Sequence, residues 1–238
     1  MANEKNYMYK SWWKVLCVAL LVYTITGGLL MKVPYLKELE ETIRNLYFHV
    51  CMWFAMMTLF TISVIQSIRY LRTFNLKYDI YARQYAVVGI VFGLLGYATG
   101  SLWMSYTWAD PNNPAFKSFG SLAREPKLIG AAIALLIYFA YLVLRDSIPD
   151  MDKRARTSAV YNIFAFAMLF PSIWIVPRML PSLHPGGQEG NPAMNFKDVD
   201  GSMRIVFYPA IIGWTLLGVW ITTLKIRVQL LKEKKYSE

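Results

Sequence analysis

Apolar residues in this chain follow neither the alternation of a strand nor the one-sided stripe of a soluble helix. They come in blocks close to twenty residues long, divided by charged or Pro/Gly-rich segments. A helix rises about 1.5 Å per residue, so about 20 residues cross a hydrocarbon core. Six blocks reach that length, and the pattern predicts spans over 12–31, 46–67, 85–106, 128–144, 158–177 and 205–224. Lipid offers no partner to backbone N–H and C=O groups, so the expected fold is an all-α integral membrane bundle of six helices. It forms one domain over 1–238, with a tail at 225–238. The first block is too long for the apolar region of a signal peptide and has no clear cleavage site before Met31-Lys32, so it is read as a retained span. Residues 33–48 break the pattern. After Pro34, Leu36, Leu39, Ile43 and Leu46 recur at helical spacing with Glu38, Glu40, Glu41 and Arg44 elsewhere, which predicts an amphipathic helix lying on the outer surface.

Composition agrees. Apolar residues make up 56% of the chain and charged residues 17%, where a soluble domain has about 25%. The net charge of +10 would suggest nucleic acid in a soluble protein, but its distribution says otherwise. Sixteen of the 25 Lys and Arg lie on the N-terminal tail, the second and fourth loops and the C-terminal tail. The positive-inside rule then puts both termini in the cytoplasm and the odd loops outside. The basic excess reads as a topology signal and an anionic-lipid contact, with membrane lipid as partner and no nucleic acid. Apart from Lys14 at an edge, the six predicted spans hold no Lys, Arg, Asp or Glu, which argues against an ion-coupled pump. The third span carries Gly89, Gly93, Gly96 and Gly100, two small-xxx-small pairs that favour close helix packing.

Candidate chemistry is sparse. The two histidines are His49, at the outer end of the second span, and His184, in the loop past the fifth. Predicted topology puts both at one face, where they can supply a ligand above and a ligand below a planar metal centre; neutral imidazole is a standard haem ligand. The alternative for each is an interfacial histidine with no ligand. Trp103 and Trp108, with Tyr106 between them, can form an apolar platform for a porphyrin, although an interfacial aromatic belt also accounts for them. Arg124 and Lys127, with Lys117, Arg178 and Arg204, can meet propionates from the same side, and ordinary surface charge is their alternative. Cys17 and Cys51 stand alone, so neither a CxxC redox pair nor a CxxCH site for covalent haem is present. The HExxH, GxSxG and phosphate-loop motifs are also missing.

The run Arg44-Asn-Leu-Tyr-Phe-His49-Val-Cys-Met-Trp53, with Gly100-Ser-Leu-Trp103, Thr107-Trp108, Glu125-Pro-Lys-Leu128 and Leu183-His184-Pro185, resembles the haem-handling protein C of cytochrome c maturation, the CcmC family, over roughly 10 to 230. The resemblance implies that His49 and His184 are axial ligands of non-covalent haem b and that the outer aromatic loop cradles it. It also implies delivery to the periplasmic carrier CcmE, beside the exporter subunits CcmA and CcmB and the small subunit CcmD, in the bacterial inner membrane. The family's run of tryptophans ending in Trp-Asp is altered here to Trp108-Ala-Asp110, then Pro111 to Arg124, then Glu125. Phe116 and Phe119 would then complete the platform.

The expected function is therefore haem presentation at the outer face without bond-breaking catalysis. A b-type haem electron-transfer subunit linked to quinol uses the same two histidines. A haem-free small-molecule transporter is the third reading.

Overall fold

The computed structural model describes residues 6–37, 39–107, 124–180 and 199–237. Six helices are long and apolar enough to cross a membrane, as the hydropathy pattern requires. They are α1 (Trp12–Leu30), α2 (Leu46–Thr73), α3 (Leu76–Thr107), α4 (Pro126–Asp146), α5 (Met151–Leu169, continued by a π-helical turn over Phe170–Ile175) and α6 (Gly201–Ser237). A single helical turn, Asn6–Tyr9, precedes them. The described residues form an all-α membrane bundle with no strand.

Several helices outrun the predicted spans. α2 continues to Thr73, α3 begins nine residues before position 85, and the tail after 224 is helical to Ser237. Hydropathy marks the part of a helix that lies in lipid, whereas backbone hydrogen bonding carries it into the polar interface. Where the chain must reverse, local chemistry stops it. Phe74 adopts a left-handed conformation (φ 53°) and its N–H bonds to Tyr70 O, which ends α2. Asp150 accepts from the Lys153 N–H at 2.8 Å and starts α5. Hydroxyls within the helices bond back to the preceding turn, as in Thr24 to Leu20 O and Thr222 to Gly218 O, both 2.8 Å, so they need no water.

α2 is the centre of the bundle and packs on α3, α5 and α6. Its contact with α3 explains the four glycines. A Cβ built at Gly89 would lie 2.6 Å from the Phe60 ring, at Gly93 2.8 Å from Met56 Sδ, at Gly96 3.0 Å from the Trp53 ring, and at Gly100 2.5 Å from His49 Cε1. The two series run in opposite directions with matching steps, so each glycine is a socket for one large side chain of α2. Phe60, seated at Gly89, also stacks on Tyr138 of α4 at 3.6 Å between ring centroids. Close backbone approach of this kind is what holds helices together where lipid removes the hydrophobic drive.

Polar ties complete the core. Asn162 Nδ2 donates to Ser63 Oγ at 2.8 Å and Ser67 Oγ at 2.9 Å, and Ser63 Oγ donates to Ala82 O at 2.7 Å, linking α5, α2 and α3. Asp79 in the first turn of α3 and Arg145 in the last turn of α4 form a bidentate ion pair, with Arg145 Nη1 to Asp79 Oδ1 at 2.6 Å and a second bond from Nη2 to Oδ2. Both residues lie beyond the limits the hydropathy pattern gave those spans.

The expected surface helix over 33–48 takes a different form. Residues 32–36 are irregular, and a 3₁₀ turn at Glu40–Asn45 runs directly into α2. Pro34 has no N–H to give a helix, and the turn is drawn inward by buried Ile43 and by Arg44. The Arg44 guanidinium donates to Gly28 O at 2.8 Å, to Met31 O at 2.7 Å and to Glu41 at 2.6 Å. The segment is thus a strap across the end of α1, not a helix lying in the interface.

Candidate haem-binding site

The site is built around His49, in the second turn of α2. Its ring lies across Gly100 and makes edge contacts with Trp53 (6.2 Å between centroids, 84° between planes) and Trp103 (5.9 Å, 73°). Only 9% of the residue is exposed. Nδ1 lies 2.9 Å from Gly96 O, an oxygen that can only accept, so Nδ1 carries the proton. Thr99 Oγ1, 3.3 Å from Nδ1, donates its own hydrogen to Leu95 O at 2.7 Å and keeps a lone pair toward the histidine. A neutral imidazole protonated at Nδ1 has its lone pair on Nε2. That is the tautomer a metal-ligating histidine needs, held by a backbone carbonyl as such ligands commonly are.

The surroundings fix the ring further. Trp103 Nε1 donates to Thr42 Oγ1 at 3.1 Å, which ties the end of α3 to the strap. Asn45 Nδ2 donates to Thr99 O at 3.3 Å, one residue from the strap to the turn that holds His49. Trp214 of α6 donates to Tyr47 O at 3.1 Å and braces the first turn of α2. A histidine with its tautomer set, its ring wedged between two indoles and its socket kept open by a glycine fits an axial ligand for haem iron. Gly96, Thr99, Trp53 and Thr42 were not singled out as site residues from the sequence. Trp53 is legible in the sequence only as the end of the run from Arg44 that resembles the family, and Gly96 only as one of the small residues of the third span.

Of the other candidates, Trp103 is brought to His49. Arg124 and Lys127 stand where α4 begins, at the same end of the bundle, with Arg124 exposed. Arg204 near the start of α6 donates from Nε to Val199 O at 2.6 Å. Beside it, Asp200 accepts from the Ser202 side chain and backbone, and these bonds hold its carboxyl below the usual range. His184, Trp108, Phe116, Phe119, Lys117 and the Arg178 side chain lie outside the described residues.

No curated protein matches this sequence. The family described as heme exporter protein C matches residues 3–238, nearly the whole chain, and the chain therefore belongs to the CcmC family of haem-handling membrane components of cytochrome c maturation.

Proposed function

We propose that this protein holds non-covalent haem b at the outer face of the bacterial inner membrane, with His49 and His184 as the two axial ligands, and presents it to a periplasmic chaperone of the CcmE type. Exporter subunits of the CcmA and CcmB type and a small subunit of the CcmD type are its partners in this reading, and both termini lie in the cytoplasm. The observation that carries the proposal is the Nδ1 bond of His49 to Gly96 O, which leaves Nε2 with the lone pair that iron takes. Haem, when bound, would supply an iron that accepts imidazole nitrogen and a pair of propionate carboxylates. The chain's own part is to orient the imidazole, to offer Trp103, with Trp108, Phe116 and Phe119, as apolar contact, and to meet carboxylates with Arg124 and Lys127. In this reading these residues bind and orient haem, and the role is carriage and not catalysis.

Absorption spectroscopy tests this reading. The purified protein should show a Soret band with the low-spin features of bis-histidine iron, and His184→Ala should convert it to a five-coordinate or water-ligated form. Loss of no spectral feature in either His184→Ala or His49→Ala removes the axial assignment.

Trp103 gives a finer test. Its indole touches the His49 ring and bonds Thr42, so Trp103→Ala should keep the ligands yet loosen the haem by about 1–3 kcal/mol, roughly five- to 150-fold in affinity. Competition with apomyoglobin measures that loss. An interfacial anchor alone would leave haem retention at the wild-type level.

A further inference from the structure

At the opposite end of the bundle from His49, a groove opens on the lipid-facing surface between α4 and α5. It is lined by Leu144, Arg156, Thr157, Val160, Tyr161 and Phe164. These residues are ordered by depth. Arg156 and Thr157 stand in the second turn after Asp150, Val160 and Tyr161 one turn further in, and Phe164 another, so the lining covers about 12 Å along α5 at 1.5 Å per residue. The Tyr161 hydroxyl is turned away to Ile137 O at 3.3 Å. What remains facing outward is a cation and a hydroxyl at the loop end, then Val160 and Phe164, which are 56% and 52% exposed.

Arg145 pairs with Asp79, and Arg83 lies 3.9 Å from Asp146. Among the described residues no carboxylate pairs with Arg156; its guanidinium rests 5.2 Å from the Phe74 ring centroid. An aromatic face orients a guanidinium without neutralising it. The groove therefore offers a guanidinium and a hydroxyl at its loop end and an apolar channel below them. That sequence of chemistry along the membrane normal is the profile of a phospholipid.

We propose that this groove is a binding site for one anionic phospholipid, with its phosphate on Arg156 and Thr157 and an acyl chain along Leu144, Val160 and Phe164. The reading is independent of haem and rests only on the bundle spanning a membrane. A net negative headgroup is favoured because a zwitterionic lipid brings an ammonium that competes with the guanidinium for the phosphate.

Native mass spectrometry of the full chain, released from detergent with equal amounts of phosphatidylglycerol and phosphatidylcholine, reads the site directly. Wild-type protein should retain phosphatidylglycerol preferentially. Arg156→Gln should lower that preference roughly fivefold, the size expected for one basic residue acting on an anionic headgroup. Phe74→Leu, which removes the ring contact but keeps the charge, should leave the preference in place. An equal yield of both lipids from wild-type protein, or an unchanged preference in Arg156→Gln, overturns the proposal. A photoreactive residue placed at Val160 should label lipid in whole membranes. Labelling of protein instead would make the groove a contact for a partner helix and overturn the lipid assignment.

Discussion

Asp79→Ala is expected to destabilise the folded bundle by about 3–5 kcal/mol, the usual cost of removing one partner from a buried ion pair. Asp79 and Arg145 are 6% and 5% exposed, and the carboxylate meets the guanidinium through both oxygens. The alanine leaves Arg145 charged, buried and facing a gap, with only neighbouring polar groups to replace the carboxylate. Position adds to the loss. Asp79 lies in the first turn of its helix and Arg145 in the last turn of its own, so each charge also complements the helix dipole beneath it. A double replacement, Asp79→Leu with Arg145→Met, should recover much of the stability, because it removes both desolvation penalties and fills the site with apolar volume. Unfolding in detergent by a titrated denaturant, followed by near-UV dichroism, distinguishes the cases. If the double variant is at least as unstable as Asp79→Ala, the pair is not the source of the effect.

This pair also shows where reading the sequence stops. Hydropathy located six spans because burial in lipid is written in runs of apolar residues, and the structure has six helices fit to cross a membrane. It missed a salt bridge between residues 66 positions apart, since neither partner sits in an apolar run and only the docking of α3 on α4 brings them together. The glycine row of α3 was legible as a packing surface. Its partners on α2 were not, because the matching of Phe60, Met56, Trp53 and His49 to Gly89, Gly93, Gly96 and Gly100 depends on the register of two antiparallel helices. The segment 33–48 showed helical spacing, but the pull of Arg44 on the carbonyls of Gly28 and Met31 is a tertiary interaction. Polar groups near the histidine were overlooked for the same reason: Thr42 becomes part of the site only through its bond with Trp103, 61 residues away.

That register makes Gly100 the most sensitive position near the candidate haem site. A methyl group there would stand 2.5 Å from His49 Cε1 and 3.0 Å from Nδ1, against an ordinary contact of about 3.4–4 Å, so the imidazole has to move by roughly 1 Å. It has nowhere to go without loss. Its Nδ1 is bonded to Gly96 O, and Trp53 and Trp103 close on it from two sides. With His49 ligating haem as proposed, Gly100→Ala should therefore weaken haem binding at least tenfold, about 1.4 kcal/mol or more, because the displaced imidazole would no longer meet the metal in the orientation its bonds now hold. His49→Gly should lose the low-spin spectrum altogether and regain it when free imidazole is added, because the vacated space then admits the ligand without its tether. Gly89→Ala is the control. It creates a similar clash, 2.6 Å from the Phe60 ring, eleven residues deeper in the same helix, and should cost about 1–3 kcal/mol of stability from overpacking while each folded molecule still binds haem normally. Titration of haem into purified protein, normalised to the folded fraction, separates the two glycines. Equal haem affinity in Gly100→Ala and wild type would show that the His49 ring is not an iron ligand, and the glycine row would then serve helix packing alone.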